Sequence, residues 1–196
     1  MKISSSYRRQ SGITPNGPRV RESLVHIIRE GDSRELDLSQ FDIAKTLFLA
    51  DREHLNKYGR PITFDEYVAM HDGPVPSLAY DILKEAFAGQ REAEIDSPLW
   101  KYVFVTDKKK RFFEAERDAS DDILSETDKE ELTAALVKVK NWGYKKTWDH
   151  VHNDPAYINA WARRGASNSH FMEYSELLNE PDEEYANELK FLSAHL

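Results

Sequence analysis

The sequence predicts an α+β fold that is predominantly α: a compact helical domain with one β-hairpin. Three observations carry this. Apolar residues recur at three- and four-residue spacing along most of the chain, the mark of helices with one buried face. Several of these stretches open with a capping residue, Ser39, Ser125 or Asp154. One segment, from about Trp100 to Arg117, is instead aromatic and β-branched on both faces around a polar turn. The 196 residues, 40% hydrophobic and 32% charged, suit one globular domain.

Residues 1 to 18 mix Ser, Arg, Gly, Pro and Asn without periodicity and are expected to form a mobile basic leader; 19 to 196 are expected to form the single domain. From Val20 to Arg29 the residues Leu24, Ile27 and Ile28 keep helical spacing until Gly31 and Asp32. Ser39, with Asp42 three residues on, forms a capping-box pair that opens the next helix. Its apolar face is Phe41, Ala44, Leu47, Phe48, Leu55 and Tyr58. Gly59 stands at the left-handed stop and Pro61 just beyond it. Thr63 to His71 is either an extended run or the first turn of a helix. Gly73-Pro74-Val75-Pro76 is expected to be a rigid corner that continues neither element, because its prolines lack donors and fix φ. Ser77 is the candidate cap of a helix from Leu78 to Ala88, ended by Gly89.

After the hairpin, Ser125 and Asp128 open a helix whose stripe is Leu132, Ala135, Leu136, Val139 and Trp142, with Gly143 as its stop. A short helix near Thr147 to His152 follows. Asp154 as N-cap and Pro155 in the first turn begin another, and a last helix starts at about Pro181.

Composition narrows the function. There is no cysteine, which excludes disulfides, thiol nucleophiles and cysteine-ligated metals. The net charge of −8 argues against unaided binding to a phosphate backbone, so no nucleic-acid partner is expected by default. Apolar runs fall far short of the ~20 residues that span a bilayer, and Met1-Lys2 opens no secretory signal. No membrane partner and a cytoplasmic location are expected. His150 and His152 point about 200° apart on a helix and cannot share an ion, so no metal and no cofactor are expected. No nucleophile elbow or phosphate-cradling glycine loop is present, and the chain is not expected to be an enzyme. Asp51 lies at the edge of an apolar face, where a carboxylate needs donors; Arg52, Arg60 and the amides near Pro61 are the candidates. Aromatic residues near arginines are typical of binding hot spots, which singles out Tyr58, Tyr67, Tyr80 and Trp161.

Three segments, Leu47 to Arg52 with Lys57 to Ile62, Tyr67 to Met70 with Gly73 to Ser77, and His152 to Tyr157, resemble the Panacea domain, the SocA-like antitoxin family of bacterial toxin–antitoxin systems and phages. Phe48, Asp72 and Tyr157 depart from the family's usual residues. The resemblance, over about residues 22 to 180, implies an antitoxin that neutralises a cognate toxin protein by direct contact. In some relatives it also delivers the toxin to a protease. It implies a partner encoded by an adjacent gene. Arg52, Tyr58, Arg60, Tyr67, Met70, Pro74 and Val75 are the candidate partner-binding residues. Asp51, Gly59, Pro61, Gly73, Pro76, His152, Asp154 and Pro155 are the candidate structural ones. Two other classes remain: a metal-dependent or hydrolytic enzyme, and a regulator that binds nucleic acid through the basic leader.

Overall fold

The computed structural model describes residues 12–88, 103–107 and 112–196. Among them are seven helices: α1 (Gly17–Ser33), α2 (Gln40–Tyr58), α3 (Ser77–Ala88), α4 (Glu126–His152), α5 (Pro155–Arg163), α6 (Tyr174–Leu177) and α7 (Glu183–Ser193). Five strands form two sheets. β1 (Tyr67–Met70) lies between β2 (Gly73–Pro76) and β5 (His170–Phe171), while β3 (Val103–Asp107) pairs with β4 (Phe112–Ala115). All pairings are antiparallel. The expected α+β, mainly α class is what forms.

α2 is the central element. Every residue from Ile43 to Asp51 is buried, because α1, α3, α4 and β2 pack round it. Its core face of Leu47, Phe48 and Leu55 meets Leu132, Leu136 and Val139 of α4, with Leu24, Ile27 and Ile28 of α1 completing the cluster. Both capping boxes form: Ser39 accepts from the Asp42 amide and Ser125 from the Asp128 amide, with each aspartate bonding back. Gly59 ends α2 at φ 78, as its place in the sequence requires. Tyr58, expected on the buried face, is instead 47% exposed.

α4 breaks at Gly143, whose φ of 68 and ψ of 179 are not helical, so the expected stop appears as a kink between two helical halves. Strands β3 and β4 pair antiparallel from Val103–Ala115 to Asp107–Phe112, in line with the expected hairpin; residues 100–102 and 108–111, where the turn was expected, lie outside the described residues.

Three expectations are corrected. Residues 12–18 belong to the fold rather than to a leader. Ile13 is buried, the Thr14 amide donates to Ser193 Oγ (3.0 Å), and Asn16 caps α1 by accepting from the Arg19 amide (3.1 Å). The described residues hold a second hairpin, β1–β2, besides the one expected. Gly73 to Pro76 is also a strand rather than a corner, and the turn is His71-Asp72. The prolines are tolerated because β2 is an edge: the Pro74 carbonyl faces Lys45, away from β1, so the missing N–H deprives no ladder partner.

Candidate interaction site at the β1–β2 hairpin

The site is built on Asp51. Its carboxylate accepts from the amides of Ile62 (2.8 Å) and Thr63 (3.0 Å), from the Tyr67 hydroxyl (2.8 Å), and from the Thr63 hydroxyl. It ties α2 to the connection that leads into β1. The amides near Pro61 are therefore its partners, and Arg52 and Arg60 are not. Burial pushes the Asp51 carboxyl above its ordinary value, while the bonds from Thr63, Tyr67 and Ile62 pull the other way. Phe64, next along this connection, sits at φ 54 in the left-handed region and is fully buried.

A second buried carboxylate, Asp65, caps α3. It accepts from the amides of Leu78 (2.9 Å) and Ala79 (2.8 Å), the role expected of Ser77. Burial raises it to about 7 against the pull of those amides, and the nearby charge of Asp51 adds to the rise. The Tyr174 hydroxyl donates to the Asp65 carbonyl (2.7 Å), which brings α6 onto the same hub.

The hairpin tip is clamped from both sides. Beneath it, the buried Lys45 ammonium donates to the Pro74 carbonyl (2.8 Å), and burial lowers the lysine to about 7. Gly73 has φ 95, and a Cβ there would stand 2.9 Å from Val151 Cγ2 and 3.1 Å from Lys45 Nζ. From α4 and α5, His152 Nε2 lies 3.0 Å from the His71 carbonyl and its Nδ1 2.7 Å from the Trp148 carbonyl. The Tyr157 hydroxyl donates to the Met70 carbonyl (3.0 Å). Asp154 caps α5 through the Ala156 amide (2.9 Å) and pairs with Arg52 (2.9 Å). Rings continue along this side: Trp148 stacks on His152 (3.6 Å), His152 meets Tyr157 edge-on (4.6 Å), and Tyr157 lies parallel to Trp161 (6.0 Å).

These contacts bring together the segments singled out in the sequence, but sort the residues differently. Tyr67, Pro74 and Val75, expected at a partner surface, are buried and serve the interior instead. Arg60 is partly exposed and pairs with Asp128 (3.0 Å), which Arg19 also reaches (2.6 Å). Arg52 is held by Asp154, while Tyr58 and, in part, Met70 keep accessible surface. Of the structural candidates, Pro61 and Pro76 are buried, and Pro155 opens α5. Nothing in the sequence pointed to Lys45, Asp65 or Tyr174 as parts of this site, or to Asp128 as the partner of Arg60. Their partners lie on other elements, and only Asp128 carried a local signal, its capping box.

Among the described residues no group of three or more His, Asp or Glu is placed to hold a metal ion. His150 and His152 do diverge: the His150 ring packs on Trp142 (4.6 Å), away from the hairpin carbonyl that faces His152. No helix among the described residues is long and apolar enough to cross a membrane.

The family model described as "Antitoxin SocA-like, Panacea domain" matches residues 43–158. That is more than half of the chain. The protein belongs to the SocA-like Panacea antitoxin family. The match is narrower than the span of about 22 to 180 read from the motifs: it runs from the first turn of α2 into α5 and leaves out α1, β5, α6 and α7. The matched residues include Asp51, Asp65, Tyr67 and the hairpin clamp of Lys45, His152 and Tyr157, while Tyr174 and Trp161 lie beyond them. No curated protein and no solved structure matches the chain.

Proposed function

We propose that this Panacea domain neutralises a cognate toxin protein by direct contact, the toxin being the product of an adjacent gene. The observation that supports this is the family match over residues 43–158. The use of the matched residues agrees with it. Asp51, Asp65, Tyr67 and Lys45 are buried and spend their polar atoms on internal partners. An acid, base or nucleophile must instead reach a substrate. The burial of these four groups supports a binding role for the matched segment. The contact uses what the scaffold leaves accessible near the hairpin, including Met70, His71 and the partly exposed Arg60, with Tyr58 at the end of α2.

The test is co-expression with the neighbouring reading frame. The wild-type chain is expected to restore growth to cells expressing that product and to co-purify with it as a defined complex. Toxin abundance separates the two modes of action. A constant level with restored growth indicates blocking, and a falling level indicates delivery to a protease. A chain that neither binds nor protects refutes the antitoxin reading.

A further inference from the structure

Arg164 is the residue that the scaffold prepares and does not use. It follows α5 directly, and its guanidinium lies flat on the Trp161 ring, 3.8 Å from the centroid. Its Nη1 donates to the Trp161 carbonyl (2.7 Å). Every other arginine among the described residues lies within ion-pair distance of a carboxylate. Among the described residues Arg164 has no such partner, in a chain with 35 acidic residues against 27 lysines and arginines. Its immediate neighbour Arg163 shows the contrast, held by Glu176 at 2.8 Å.

The surroundings are those of a binding anchor. Trp161 is half-buried and continues the ring row that runs through Tyr157 and His152 to Trp148, so the platform under the guanidinium is braced by the hairpin clamp. Ile158, one helical turn earlier on α5, is 48% exposed. A stacked guanidinium already fixed by its own backbone bond loses less freedom on docking than a free one. Its remaining N–H groups form a fork that matches a carboxylate. Tryptophan and arginine with a neighbouring aliphatic residue make the composition of an interface hot spot.

We propose that Arg164, stacked on Trp161 beside Ile158, anchors the docking surface for the toxin, and that the toxin segment seated there carries a carboxylate next to an aliphatic side chain. This rests on the antitoxin reading above, extends its contact surface from the hairpin to the end of α5, and adds a partner chemistry.

The test measures affinity between the purified chain and the product of the adjacent gene, with thermal unfolding of each variant as the fold control. Arg164→Glu is expected to weaken binding by about 30-fold or more with an unchanged unfolding temperature. Arg164→Lys should recover part of that loss, and Ile158→Asp should weaken binding in the same way. Wild-type affinity should also fall more steeply with salt than that of Arg164→Gln. Binding by Arg164→Glu and Ile158→Asp within twofold of wild type overturns the proposal. So does a loss in Arg164→Glu explained wholly by unfolding while Ile158→Asp still binds normally. If the wild-type chain itself fails to bind, the antitoxin reading falls and this surface with it. That result is distinct from the others, in which the wild type binds.

Discussion

Asp51→Ala removes one acceptor from four donors at once. The Ile62 and Thr63 amides, at 2.8 and 3.0 Å, have no freedom to turn elsewhere, and both residues are fully buried. The two hydroxyls are better placed: Tyr67 Oη also lies 3.3 Å from the Leu47 carbonyl, and Thr63 Oγ1 already accepts from the Asp65 amide (3.0 Å) and can rotate. An unsatisfied buried donor costs about 1–3 kcal/mol. The two amides, with a small contribution from the hydroxyls, therefore set the loss at about 3–5 kcal/mol, a large part of the ~5–15 kcal/mol of a typical domain. Asp51→Asn is the informative companion. Its amide oxygen can still serve both backbone donors, and its NH₂ can donate to the Thr63 and Tyr67 hydroxyl oxygens once these turn. Since burial already favours the neutral carboxyl, this variant should lose only about 1–2 kcal/mol. Urea unfolding followed by tryptophan fluorescence gives both values, provided the denaturant slope is unchanged. A loss below about 1 kcal/mol in Asp51→Ala would refute the satisfaction argument. Equal losses in the two variants would show that charge, and not acceptor geometry, is what the hub requires.

Asp65 gives a pH signature. Its folded value of about 7, against an ordinary 3.8, means that the folded chain holds a proton the unfolded chain releases between those pH values. Its contribution is fully present below the ordinary value and is lost as pH rises to about 7. The stability of wild type minus that of Asp65→Asn should fall by about 2–4 kcal/mol from pH 4 to pH 7; a flat difference refutes it. Gly73→Ala forces a Cβ into a site at φ 95, 2.9 Å from Val151 Cγ2, and should lower stability by about 2–4 kcal/mol in urea unfolding. Tyr67→Phe withdraws a bond to Asp51 and should lose about 1–2 kcal/mol while leaving toxin affinity unchanged once folded. Lost binding with intact stability would return Tyr67 to the interface.

The features legible in the sequence are those decided within a few residues. Ser39 with Asp42, Ser125 with Asp128, and Asp154 before Pro155 announce helix starts because a cap and the amides it serves lie within one turn. Gly59 and Gly143 announce stops because a left-handed φ is a local demand. The strand pair from Val103 to Ala115 is legible for the same reason, its two apolar runs being separated in the sequence by a short polar stretch. Tertiary structure decided the rest. Asp65 caps α3 from 13 residues before Leu78, a distance across which no helix-start pattern reaches. Gly73 to Pro76 is a strand because α2 and α4 pack against it and β1 offers a ladder on one side alone, and two-proline sequence chemistry does not contain that information. β5 is two residues long and exists through its pairing with Val68 and Ala69. Lys45, a polar residue on an amphipathic helix, reads as exposed; it is buried because α2 is surrounded, and its partner is a carbonyl 29 residues away. Local backbone chemistry is set by neighbours in sequence, whereas burial and long-range hydrogen bonds are set by neighbours in space, and only the folded chain decides who those are.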